Sequence, residues 1–70
     1  MNNTISNFTR NQIKAGLKQL PENWQLTFKR MYAHKNIDWD IEKVVDNMPD
    51  EKLDWALSQV ENSLLKLKIQ

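Results

Sequence analysis

Asp38, Asp40 and Glu42 alternate along Asp38-Trp39-Asp40-Ile41-Glu42 as the first ligands of a calcium loop do. Two positions break that reading. Lys43 stands where the loop glycine is needed, and Pro49 occupies the twelfth position in place of a bidentate glutamate. His34 is the only histidine and there is no cysteine, so a His/Cys zinc set cannot be assembled. A lone histidine near a helix end reads as a polar cap. The chain carries no nucleophile motif, no phosphate loop and no dinucleotide fingerprint. These residue types point away from catalysis, and the expectation is a non-enzymatic protein with no cofactor, no metal and no small-molecule substrate.

What the chain does have is charge sorted by position. Residues 1–35 carry Arg10, Lys14, Lys18, Lys29, Arg30 and Lys35 against Glu22 alone. Residues 36–54 carry Asp38, Asp40, Glu42, Asp46, Asp50, Glu51 and Asp54 against Lys43 and Lys52. The formal net charge of +1 hides this dipole. Arg10, Lys14 and Lys18 recur every four residues, and so do Asp38, Glu42, Asp46, Asp50 and Asp54. On helices each set forms a ridge of one sign, with a few tenths of a kcal/mol of repulsion per like pair. Either the two ridges face each other inside the molecule, or one of them docks another macromolecule, or they are ordinary solvated helix faces.

Both signs have candidate partners. A basic pair of helices carrying Lys14, Lys18, Lys29 and Arg30 could contact phosphates, as helix-turn-helix proteins do. The near-neutral balance and the acidic middle argue against nucleic acid. An acidic row could instead imitate phosphates and occupy a DNA-binding protein.

The three tryptophans supply apolar contact area. Trp24 falls on an apolar helical stripe and reads as core. Trp39 stands at a helix start between two acids. Trp55 lies roughly 200° from Leu53 on a helical wheel, opposite the stripe of its own helix, beside Ser58, Asn62 and Lys66 with Ile69 further along. Either another helix covers it, or it belongs to an interface, where tryptophan is enriched.

The elements that position these groups are four helices. Residues 1–7 are polar and read as a flexible N-terminus, with a single domain over residues 8–70. Thr9 and Gln12 have capping-box spacing, and Phe8 and Ile13 occupy the staple positions around that cap. This predicts a first helix from Thr9 to near Leu20, where Pro21 stops it. Gly16 either weakens that helix or permits close packing. Trp24, Phe28, Met31 and Tyr32 define a second helix from Pro21 to about His34. Ile41, Val44, Val45 and Met48 define a third, capped by Asp38 or Asp40. Leu53, Leu57, Val60, Leu64 and Leu67 define the fourth and longest, opened by Pro49 and Asp50. The expectation is an all-α bundle of four short helices around Phe8, Trp24, Phe28, Val45, Leu57 and Leu64.

A chain of 70 residues buries only about 60% of the surface its unfolded form exposes. With no disulfide to help, stability must come from helix packing or self-association. No basic region followed by an apolar run opens the chain, and no stretch nears the roughly 20 apolar residues of a membrane span. The expectation is a cytoplasmic protein with no membrane partner.

The stretches Leu20-Pro21-Glu22-Asn23-Trp24-Gln25-Leu26-Thr27-Phe28-Lys29-Arg30-Met31-Tyr32 and Val44-Val45-Asp46-Asn47-Met48-Pro49-Asp50-Glu51-Lys52-Leu53-Asp54-Trp55-Ala56 resemble small uncharacterised proteins of tailed phages and prophages, over residues 17–64. The resemblance implies a mobile-element product acting in the bacterial cytoplasm, where such proteins bind and block or redirect host proteins, defence systems included. It brings no functional residues with it. From the residues themselves, the expected contact set is Trp55, Asn62 and Lys66, with Asp38, Glu42, Asp46 and Asp54 orienting a protein partner, which is a host protein or a second copy. Lys14, Lys18, Lys29 and Arg30 are the set for the nucleic-acid alternative.

Overall fold

The computed structural model describes residues 3–33 and 35–69, with side chains from Ile5 onward. Its elements are α1 (Asn3–Lys18), α2 (Glu22–Tyr32), α3 (Ile41–Asp46) and α4 (Leu53–Ile69), with a 3₁₀ turn over Asp50–Lys52 leading into α4. Among the described residues there is no strand, and α4, at 17 residues, is the longest helix. The all-α bundle of four helices read from the sequence is the fold.

The chain's punctuation sets most of these boundaries. Pro21 precedes α2 in extended geometry, and Pro49 does the same for the 3₁₀ turn. Asp40 caps α3, its Oδ1 accepting from the Lys43 backbone N–H at 2.8 Å. The last carbonyls of α1 have no helical partner of their own. Gln25 adds a donor from the next helix: its Nε2 donates to the Leu17 oxygen, which also accepts from the Leu20 N–H, and to the Leu20 oxygen just past the helix, at 2.8 and 3.0 Å.

The start of α1 departs from the sequence reading. The helix begins at Asn3, six residues before Thr9. The Thr9 hydroxyl donates to the Ile5 carbonyl at 3.1 Å, as a mid-helix threonine does. With no cap at Thr9 there is no staple, and Phe8 sits in mid-helix roughly 140° from Ile13. It is therefore on the outside, 64% exposed, and not in the core. His34 lies outside the described residues, so its role as a cap is not assigned.

The core is built from Ile13, Leu17 and Leu20, from Phe28 and Ala33, from Val44, Val45 and Met48, and from Leu53, Ala56 and Val60. Trp24, Leu57 and Leu64 pack on its edge, half-buried. Packing α1 onto α4 requires Gly16. A Cβ at that position would collide with Val60 Cγ1 and meet Leu64 Cδ1 at 3.5 Å. The glycine permits close helix approach, one of the two alternatives its position allowed.

α1 packs against both α3 and α4, and α2 packs against α3. The fourth side, between α2 and α4, stays open as a groove of ≈ 280 Å³. Tyr32 bridges the two helices there, its hydroxyl donating to Gln59 Oε1 at 3.0 Å. The Cα envelope is only 16 Å in its thinnest direction. Helices packed side by side lie ~8–10 Å apart, so every helix in such a thin body keeps a face toward solvent.

Candidate functional site

The charged ridges meet each other. Lys14 Nζ lies 2.8 Å from Asp46 Oδ1, Lys18 Nζ lies 3.1 Å from Glu42 Oε2, and Arg10 Nη2 lies 2.7 Å from Asp50 Oδ1. Each step of four residues up α1 matches a step of four down the acidic row. The two elements are therefore antiparallel, and the row continues past α3 across Pro49. Facing ridges of opposite sign offset the repulsion within each ridge.

The three pairs differ in depth. Lys18 and Glu42 are both well exposed, and such pairs contribute ~0–1 kcal/mol. Arg10 is only 14% exposed at its side chain and does more. Its Nη1 donates to the Val45 carbonyl and its Nη2 to the Met48 carbonyl at 2.9 Å. Val45 lies in the last turn of α3 and Met48 two residues past its end, and a cation is favoured beside a helix C-terminus.

This arrangement divides the acidic set expected to orient a partner. Glu42 and Asp46 pair with α1. Asp38, in the turn before α3, and Asp54, in the first turn of α4, are exposed and join no ion pair among the described residues. The basic set divides too. Lys14 and Lys18 are engaged, while Lys29 and Arg30 lie in the last turn of α2, half-buried and exposed respectively.

Trp55 is 74% exposed in the first turn of α4. No helix of the bundle covers it, so the alternative in which another helix packs across this face is not met. Asn62 and Lys66 are exposed on the same side of α4, and both line the groove that α4 forms with α2. The other groove walls are Trp24, Thr27 and Met31 on α2 and Gln59 and Ser63 on α4. It is a shallow surface of mixed polarity, with Phe28 and Val60 at its floor.

Sequence reasoning placed Trp55, Asn62 and Lys66 on one face and the structure keeps them there. It missed the groove, because a groove between two helices depends on where α2 ends up relative to α4. It also missed Leu65, 57% exposed on the outer side of α4, and Ile5 and Phe8, exposed near the start of α1. Burial pushes the Tyr32 phenol above its usual pKa of 10.0. Among the described residues, no three His, Cys, Asp or Glu side chains are placed to hold a metal ion. No helix described is long and apolar enough to cross a membrane. No family model, no curated protein and no solved structure matches this chain.

Proposed function

We propose that this protein is a non-catalytic binding protein that works by protein–protein contact through the outer face of α4. The observation that carries the reading is Trp55, 74% exposed on a helix whose opposite stripe is core. A large aromatic left in water on a rigid helix offers contact area at little conformational cost, and tryptophan is enriched among residues that dominate binding energy. Asn62 and Lys66 extend that face toward the α2–α4 groove. Asp38 and Asp54, which join no ion pair among the described residues, add charge that would steer a partner more than it adds affinity.

The resemblance to phage and prophage proteins would imply a protein of the bacterial cytoplasm, with a host protein or its own copy as partner. The nucleic-acid alternative is weaker on this geometry. Lys14 and Lys18 are engaged by Asp46 and Glu42, so a phosphate would have to displace both carboxylates.

The test is a photo-reactive amino acid at Ser58, on the Trp55 face, in the full chain expressed in a bacterium. The expected result is covalent adducts to protein that disappear when Trp55→Ala is added, with helicity unchanged. Adducts to nucleic acid, or adducts indifferent to Trp55→Ala, would overturn the proposal.

A further inference from the structure

Two stripes run along α4. The inner one, Leu53, Ala56 and Val60 continuing through Leu64 and Leu67, is occupied by the bundle. The outer one is Trp55, Ser58, Asn62, Leu65 and Ile69, centred roughly 160° away. Its spacing is three, four, three, four, the a/d seam of a coiled coil, with Trp55, Asn62 and Ile69 at a and Ser58 and Leu65 at d. Every member is solvent-exposed, Ile69 at 81%.

We infer that a second copy of this chain covers this seam, as a parallel, in-register α4–α4 pair. The inference rests on the proposed contact face and names its partner. Charge selects the occupant and its direction. In this register Glu61 is a g position and Lys66 the e position five residues on, the two that meet across a parallel pair. Both are exposed, and neither joins an ion pair among the described residues. Two-fold symmetry sets Glu61 of each copy against Lys66 of the other, twice. The antiparallel pairing that covers Trp55 with Leu65 of the second copy joins Asp54 to Lys68 of the other copy but sets the two Glu61 carboxylates against each other at its centre.

Asn62 agrees with that choice. At a central a position a parallel pair brings the two amides together, and a buried asparagine there fixes register and a two-stranded state. The antiparallel pairing faces it with Ser58 of the second copy and leaves no such pair. The seam covers only two heptads, too few to form a coiled coil from unstructured chains. It does not have to, because α4 is already folded by its inner stripe, so dimerisation need not nucleate the helix. The exposure of all five seam residues leaves that side of α4 open to a second copy.

The experiment uses the full chain with single cysteines, which have no native cysteine to compete with. Ser58→Cys, Leu65→Cys and the control Thr27→Cys on α2 are oxidised after circular dichroism has shown intact helices. In parallel, Ser58→Cys and Leu65→Cys are expected to form disulfide-linked dimers several-fold more than Thr27→Cys. Sedimentation of the unmodified chain should show a mass that rises to that of a dimer with concentration. Glu61→Lys and Lys66→Glu should each lower the dimer fraction, and the two together should restore it. Cross-linking at only one of the two seam positions would overturn the parallel arrangement, since no antiparallel register serves both. A monomer at every concentration, with cross-linking no greater than the control's, would overturn self-association. If Ser58 then still forms Trp55-dependent adducts with other proteins, the contact face stands and only its partner is wrong.

Discussion

The Arg10 guanidinium donates to the Met48 carbonyl oxygen at 2.9 Å, and the same nitrogen reaches Asp50 Oδ1 at 2.7 Å. One side chain from α1 thus holds the end of α3 and the start of the segment that becomes α4. Removing it would leave the Val45 and Met48 oxygens partly buried without that donor. Arg10→Met is therefore expected to destabilise by about 1–3 kcal/mol. Lys18→Met, which breaks only an exposed pair, should cost no more than ~1 kcal/mol. Arg10→Lys should rescue little, because an ammonium cannot reproduce the fork that serves two carbonyls and a carboxylate. Urea unfolding of the three variants gives the ordering, and equal midpoints for Arg10→Met and Lys18→Met would refute it.

Gly16 predicts a substitution that runs against helix propensity. In an open helix, alanine for glycine would be worth up to ~1 kcal/mol in the substituted protein's favour. Here the new methyl meets Val60 Cγ1, and a β-branched side chain has no free rotamer to move into within a helix. Overpacking of this kind costs roughly 1–3 kcal/mol, so Gly16→Ala should be net destabilising. Val60→Ala should partly relieve it, leaving the double variant more stable than the sum of the single effects predicts. Thermal melts of the four proteins complete the cycle, and additive effects would place the methyl in open space.

The ridges show what periodicity can reveal. Arg10, Lys14 and Lys18, and Glu42, Asp46 and Asp50, share one interval, and a shared interval is what lets two antiparallel elements pair rung by rung. Four helices, their proline boundaries and the Asp40 cap were legible for a similar reason: each is a local consequence of local chemistry. The start of α1 was not. Thr9 and Gln12 satisfy a capping pattern, but the polar run before them continues the helix instead, with Ser6 half-buried seven residues before Ile13. Phe8 was misplaced with that boundary. At the proposed contact face, the position of Trp55 followed from its wheel angle, whereas its exposure depended on no other helix crossing it. Leu65 went unread because a single leucine in a leucine-rich helix carries no mark of which stripe it serves.

Tyr32 gives the fold a pH limit on the alkaline side. Burial favours the neutral phenol, so the folded-state pKa lies above the unfolded value of 10.0. The folded protein then holds this proton more tightly than the unfolded chain does. That contribution is fully present below about pH 10 and is lost as the pH rises through the raised value. The phenolate would also lose the proton it donates to Gln59. Stability of the wild type should therefore fall more steeply above pH 10 than that of Tyr32→Phe, although the variant is weaker at neutral pH for want of the hydrogen bond. Lysine deprotonation in the same range acts on both proteins alike, so the difference between their unfolding curves isolates Tyr32. Parallel curves would show that the ring is no better shielded in the folded state than in the unfolded one.

Trp55 and Phe28 are both large aromatics on apolar-looking helices, and they should respond in opposite ways to truncation. Phe28 is buried in the core and lies 4.6 Å, ring centre to ring centre, from Tyr32. Phe28→Ala should cost about 3–5 kcal/mol, enough to unfold much of a domain this small. Trp55→Ala removes a side chain that already sits in water, so the isolated monomer should change by no more than ~0.5 kcal/mol. Fluorescence adds an independent reading. The wild-type minus Trp55→Phe difference spectrum should show a red-shifted component open to quenching by acrylamide, while the half-buried Trp24 and Trp39 remain protected. The proposed self-association would make the same tryptophan concentration-dependent: its component should shift to the blue and lose quencher access as the protein concentration rises, and the stability difference between wild type and Trp55→Ala should grow with it by mass action. A Trp55 component that is shielded even at high dilution would mean that the chain covers this side chain itself, and the contact face on α4 would have to be given up.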